Sequence, residues 1–370
     1  MLSLSSTPLL LNKPIFSIKS ADRLLSPAET RSVLDLSITQ VLNAPCSFHL
    51  QINDPDFRYF ESTDSPFALG KKLEIAFGYV GMANLTTLIV GEVTAIGVDL
   101  DEEGGLRLKI DGFDKLHYAS QQEQWMDFKE SENPATIIQT LAEKVGLKPT
   151  RIEIPPAHNQ KIQQPLPLKG MTALAFFQRL QQQTGLIFWV ENDQFYFKQH
   201  RDSATTLELE RGKKLISFSS RLSLSGQVKK VEVYKVRSAQ PSAVDAVAHV
   251  DLDTFLKKVK LPNQLRAAIA SKRFADTLHR ELLQDEAQDP THIAQAIMAA
   301  NLQKLLEVSG SCIGEPQLKP GIRVAIKGMK QFDTDIDSAY KVMQATHTFN
   351  SSGYITNFTL QLDTSGQPLN

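Results

Sequence analysis

The sequence predicts a β-rich α+β protein: two duplicated antiparallel β-barrels, an α+β middle unit between them and a helical insertion in the second barrel. Three observations predict it. From Pro14 to Gly112 the chain breaks into six short β-branched or alternating runs separated by turn residues. A stretch of capped helices and one aromatic hairpin follows. The string GKKLEIAFGY at 70–79 then returns in kind as GIRVAIKGMK at 321–330.

The six runs are PIFSIK, SVLDLSITQ, CSFHLQI, KKLEIAFGY, TTLIVGEVTAIGVDL and LRLKIDGF, whose number and spacing suit a barrel or sandwich. Asn133 and Pro134 then open a helix as cap and first-turn proline, with Ile137, Ile138, Leu141, Ala142 and Val145 on one face before Gly146. After the proline-rich link EIPPAHNQKIQQPLP, a second helix over 172–184 buries Leu174, Phe177 and Leu180 and stops at Gly185. LIFWVENDQFYFKQ reads as two strands joined by a polar turn and laid on that helix. Its aromatics Phe188, Trp189, Phe195, Tyr196 and Phe197, with Phe176 and Phe177, are placed as core rather than as a stacking platform.

Strands resume over 215–237, with a break at Ser225–Gly226. Residues 240–308 read as helix-prone and charge-mixed, ending in a helix that starts at Asp289–Pro290; 245–288 carries weaker caps. The domains follow as 14–124 for the first barrel, 125–205 for the α+β unit, 206–365 for the second barrel with a helical insertion at about 240–308, and 366–370 as tail or linker. The repeat is also a matter of spacing. Gly70 to Leu88 is 18 positions and Gly321 to Tyr340 is 19, while Leu88 to Leu106 and Tyr340 to Phe358 are 18 each.

Chemistry is scarce in this pattern. A balance of 40 basic and 41 acidic residues, net −1, offers no surplus for stable nucleic-acid binding. Cys46 and Cys312 stand far apart, which suggests neither a disulfide framework nor zinc and fits synthesis in a reducing cytoplasm. The N-terminal apolar run is flanked by Pro8 and Pro14 without a positive lead, unlike a signal peptide, and no run reaches the roughly 18 apolar residues of a membrane span. His117, His249, His279 and His347 read as ordinary surface or interface histidines, outside metal spacings. The acidic runs 99–105 and 333–337 read as solvated hairpin tips, and no nucleophile or phosphate-loop motif occurs. The expectation is a protein without enzymatic activity, metal or cofactor.

The arrangement resembles the phage late-control D family, the baseplate hub of contractile tails and the N-terminal half of type VI secretion and extracellular contractile injection system spike proteins. The resemblance runs from 14 to 363 through KPIFSI, LEIAFGY with LIVGEVTAI, IDGFDKLH, NPATIIQTLAEKVGL, the PLKGMTALAFFQRLQQQTGLIFWVENDQFYF unit and GEPQLKPGIRVAIKG with YKVMQATHTFNSSGYITNF. It implies tube-like barrels in a homotrimer, so that three chains present six barrels to a sixfold tail tube and hold a threefold spike. The implied partners are the tail tube protein, the central spike protein and baseplate adaptor or wedge proteins, in a phage virion tail or injection particle assembled from cytoplasmic subunits. No spike β-helix or lysozyme-like insertion is present. The repeat strands supply the candidate tube or spike interface: Lys71, Glu74, Phe77, Glu92, Thr94, Arg323, Lys327, Tyr340, Gln344 and His347. The rival expectation is a tail-associated carbohydrate- or receptor-binding module, which needs the middle aromatics exposed; a cell-wall hydrolase needs a carboxylate pair for which the sequence offers no candidate.

Overall fold

Alternation of apolar and polar residues organises both ends of the chain. The computed structural model describes residues 13–100, 105–129, 132–161, 166–201, 206–237, 240–252, 267, 269–271, 278–283, 290–334 and 340–363. The six N-terminal runs all form strands: β1 (Pro14–Ser20), with the short β2 (Arg23–Leu24) after it, then β3 (Val33–Val41), β4 (Ser47–Asn53), β5 (Lys72–Tyr79), β6 (Thr86–Leu100) and β7 (Leu106–Asp114). Their alternate positions bury Leu36, Ile38, Phe48, Leu50, Ile75, Leu108 and Ile110 in one core.

The middle unit comprises β8 (Glu123–Phe128), β9 (Lys148–Ile152), β10 (Leu166–Thr172), β11 (Ile187–Glu191) and β12 (Gln194–Lys198), with helices Pro134–Lys144 and Ala173–Thr184. The Asn133 cap acts as expected, its Oδ1 accepting from the Thr136 N–H at 3.0 Å; Thr172, read as the first helical residue, is instead the cap, its Oγ1 accepting from the Ala175 N–H at 3.2 Å. Asn192 and Asp193 make the two-residue turn of the β11–β12 hairpin with φ of 50° and 64°. Phe176, Phe177, Phe188, Trp189, Phe195 and Phe197 are buried and Tyr196 is half-buried, so the aromatics are packing groups.

The C-terminal strands are β13 (Leu207–Glu210), β14 (Leu215–Leu222), β15 (Lys230–Arg237), β16 (Gln240–Asp251), β17 (Leu278–Leu283), β18 (Leu306–Ile313), β19 (Arg323–Lys327), β20 (Tyr340–Asn350) and β21 (Gly353–Leu362). The insertion is not wholly helical. β16 and β17 flank β15 in a three-stranded sheet, and helix Pro290–Gln303 packs beside it. Ala248 and Val250 pair with Val233 and Val231 of β15, and that pairing overrides the helix propensity of the alanines. Parts of 245–288 and of both acidic runs, and the 366–370 tail, lie outside the described residues.

The main sheet runs β14-β18-β21-β20-β3-β4-β7-β6-β5-β1-β2, with β19 beside β20 and β13 beside β19. Its two ends follow one plan. In chain order β1, β3, β4, β5, β6 and β7 make the pairs β3·β4, β4·β7, β7·β6, β6·β5 and β5·β1. In the same order β13, β14, β18, β19, β20 and β21 make β14·β18, β18·β21, β21·β20, β20·β19 and β19·β13.

The registers agree as well. A bulge falls between Val33 and Asp35 in β3 and between Leu215 and Ser217 in β14. Another falls between Val93 and Ala95 in β6 and between Val342 and Gln344 in β20. Gly70 donates its N–H to Val93 O at 2.9 Å and Gly321 to Val342 O at 2.8 Å; both have positive φ, 77° and 87°, which glycine adopts without Cβ strain. One pair breaks the match: β1·β5 is antiparallel and β13·β19 parallel.

This register corrects the spacing drawn from sequence. Gly91 lies where Tyr340 does and Ile110 where Phe358 does, so Leu88 and Leu106 are three and four positions off, although Gly70 and Gly321 do coincide. The reason lies in packing. Phe48 fills the space over Gly112 where the other end sets Val308 opposite Leu360, and Phe358 fills the space over Gly310 where the first end sets Ile110 opposite Leu50, so equivalent positions use unlike residues. The described pairings, moreover, join the two sets through β3·β20 into one curled sheet, antiparallel except at β13·β19; they do not close two separate barrels.

Candidate assembly edges

The bulge in β6 divides its edge. Residues 86–92 pair with β5, but residues 95–100 have β7 on one side and, among the described residues, no strand on the other. β14 has β18 on one side; its other side carries only the bridge between Arg211 and Leu215 among the described residues. Both edges keep apolar side chains at the surface: Val98 is 41% and Leu100 67% exposed, and Phe218 and Leu222 are half-buried. An open edge is a pairing template, and charged or glycine residues such as Asp99, Gly97 and Arg221 only partly blunt it.

Of the ten residues named from sequence, three lie inside. Phe77 packs edge-on against Phe349 and Tyr354, Tyr340 is buried with its hydroxyl donating to Phe332 O at 3.2 Å, and His347 is fully buried. These three support strands and present no surface to a partner; the alternation placed them on the core side. Glu74 pairs with Lys19 at 2.8 Å, Arg323 with Asp363 at 2.5 Å, and Glu92 accepts from the Tyr118 hydroxyl. Lys71 and Lys327 are half-buried, whereas Thr94, at the β6 bulge, and Gln344, at the β20 bulge, are exposed. The sequence reading missed β14 and the far end of β6 because edge status depends on which strands pair, and that is not written in a strand's own residues.

A polar junction holds the middle unit against the sheet. Lys319 reaches Glu191 at 2.8 Å and Thr87 O at 3.2 Å, Arg201 reaches Glu191 at 3.4 Å and lies over the Trp189 ring, and Asp193 takes Lys72 at 2.6 Å and Lys115 at 3.3 Å. Burial alone would raise the Glu191 carboxyl, but the charges of Arg201 and Lys319 outweigh it and hold the group below the ordinary range. Gln40 Oε1, Asp114 Oδ2 and Arg201 Nε have no hydrogen-bond partner and line a cavity of about 20 Å³, room for one water.

Asp114 behaves differently from Glu191. Burial pushes its carboxyl up to about 7, with Asp193 adding to the rise against hydrogen bonds from Cys46 and Leu116 that lower it. Because the folded value lies above the ordinary 3.8, the associated stability is complete below that pH and is lost as pH rises toward 7, at about 1.4 kcal/mol per pH unit. Asp114→Asn keeps an oxygen for the Leu116 N–H and removes the titration. Its stability relative to wild type should climb by that slope between urea titrations at about pH 4.5 and 6.5. A constant difference would show that the native carboxyl is ionised throughout.

Among the described residues no group of three or more His, Cys, Asp or Glu comes together, and no helix is long and apolar enough to cross a membrane. The model of the Alg8 N-terminal domain family matches residues 16–335. The chain belongs to that family. The match falls there and not on the late-control D family. No curated protein matches the sequence.

Solved structures place this Alg8 N-terminal domain chain among phage-tail-type folds. The 43 kDa tail protein of prophage MuSo2 from Shewanella oneidensis superposes with a TM-score of 0.68 at 14% identity, covering 95% of this chain and 100% of that one. A tail protein from Neisseria meningitidis MC58 gives 0.63 at 12%, covering 95% and 97%. An E. coli component of the type VI secretion system, described as similar to the T4 bacteriophage tail proteins gp27 and gp5, gives 0.59 at 13%, covering 94% and 77%. At these identities the likeness is one of fold.

Proposed function

We propose that the chain is a structural baseplate hub of a contractile tail or injection particle, a homotrimer that adapts a sixfold tail tube to a threefold central spike. The observation that carries this reading is the matched strand order and register at the two ends of the sheet. Such a match is what duplication of one unit leaves behind, and a chain with two near-equivalent units gives six from three copies. The duplicated units are then tube-like domains that share a seam at β3·β20 instead of standing apart. Fold likeness to phage tail proteins and to a type VI secretion component supports the same assignment.

Its partners on this reading are the tail tube protein, the central spike protein and baseplate adaptor or wedge proteins, and its role is mechanical, without catalysis or cofactor. Trp125, 70% exposed on β8, is a ready contact for one of them. A sugar-binding module is disfavoured by the burial of the middle-unit aromatics. Native mass in solution tests the proposal. A trimer is expected at micromolar concentration, and a monomer at every concentration would remove the ring on which the adaptor depends.

A further inference from the structure

The two open edges correspond, position for position, to two edges that pair with each other inside the chain. In β3·β20, Leu36 lies opposite Phe349, Ile38 opposite His347 and Gln40 opposite Ala345. The shared register makes β14 the counterpart of β3, with Phe218, Ser220 and Leu222 standing where Leu36, Ile38 and Gln40 do. It makes β6 the counterpart of β20, with Ile96, Val98 and Leu100 standing where Ala345, His347 and Phe349 do.

We infer that the chain associates head to tail with a second copy of itself, β14 of one copy adding antiparallel to residues 95–100 of β6 in the next, in the register of β3·β20. This rests on the hub reading above and specifies its subunit contact. The register sets Leu100 opposite Phe218, Val98 opposite Ser220 and Ile96 opposite Leu222, so two apolar pairs meet on one face. On the other face Asp99 meets Ser219 and Gly97 meets Arg221, leaving Asp99 and Arg221 as diagonal neighbours of opposite charge. A one-residue slip would turn every apolar side chain of one strand onto the polar face of the other. Burial agrees: His347 is fully buried under its in-chain partner while its counterpart Val98 is 41% exposed, the difference a missing neighbour strand makes. The contact uses unlike edges, so it builds a closed ring or an open chain and never an isologous dimer.

The test uses the full chain with Val98→Cys and Ser220→Cys together. Directly opposed strand positions put Cα atoms about 4.5–5.5 Å apart, within disulfide reach. Mild oxidation is expected to shift most of the single-chain band on a denaturing gel into covalent multimers. Each single variant, which retains Cys46 and Cys312, should stay at the single-chain position, as should Val98→Cys with Arg221→Cys, whose side chains face opposite sides. A native trimer whose Val98/Ser220 pair stays uncrosslinked overturns the edge pairing and leaves the hub reading standing. A strict monomer overturns both, and equal cross-linking of the Val98/Arg221 pair overturns the register.

Discussion

Replacing Gly112 with alanine is expected to destabilise the protein by about 3 kcal/mol or more, the upper range for overpacking a filled core. A Cβ built there would lie 2.2 Å from Phe48 Cζ and 2.3 Å from the Glu92 carbonyl oxygen. The ring has little room to move, since Phe48 is buried among the strands of the first core. The carbonyl cannot retreat without opening β6·β7 beside its bulge, and it is this backbone contact that no rotamer change relieves. Gly97 is the natural control: an added Cβ meets nothing within 4 Å, so Gly97→Ala should change stability by less than about 0.5 kcal/mol. Urea titration reads both, and a Gly112→Ala midpoint equal to wild type would mean that Phe48 and β6 are not packed as described.

His347→Ala is expected to cost a similar amount, about 3 kcal/mol or more, by opening a cavity and leaving buried polar groups without partners. Its Nε2 lies 3.2 Å from Leu318 O and its Nδ1 2.8 Å from the Tyr354 hydroxyl. Those partners assign Nε2 as the donor to the carbonyl and Nδ1 as the acceptor from the hydroxyl, a neutral imidazole. Burial, with the Lys319 charge adding to it, lowers the pKa to about 3. The unfolded chain takes up a proton near 6.5 while the native state does not, so stability falls as pH drops from about 6.5 toward 3, by about 1.4 kcal/mol per unit. The variant lacks this dependence. The gap between wild type and His347→Ala should therefore narrow in acid, and a gap that widened would contradict a neutral buried imidazole.

The two titrations oppose each other. Where their windows overlap, between about pH 4 and 6.5, rising pH withdraws the Asp114 contribution while it restores the His347 one. Acid sensitivity of the wild type in that range then belongs to other groups, which is why single variants are needed to see either.

Local chemistry was largely legible before any coordinates. The cap at Asn133, the hairpin turn at Asn192–Asp193 and the glycines at 70 and 321 each follow from what a short stretch of backbone requires. Features set by distant partners were not. An isolated histidine reads as surface, and only the fold brings Leu318 and Tyr354 around His347. The strand β16 hides in an alanine-rich stretch because its partner β15 decides its conformation. The full register of the repeat is masked because equivalent positions pack with unlike residues: Phe48 opposite Gly112 answers to Val308 opposite Leu360, and Phe358 opposite Gly310 answers to Ile110 opposite Leu50. Bulges and turn glycines persist where side chains do not, since backbone geometry constrains them more tightly than core volume does.

On the proposed function, three chains, each with two near-equivalent units, make a ring of six. End-on projection averages of the native particle test it most directly. A closed ring with six lobes of similar size around a central opening is expected, threefold in strict symmetry because each chain adds one middle unit and one 240–308 insertion to its two lobes. A particle with a single lobe pair, or a ring whose lobe count is not twice its chain number, would contradict it.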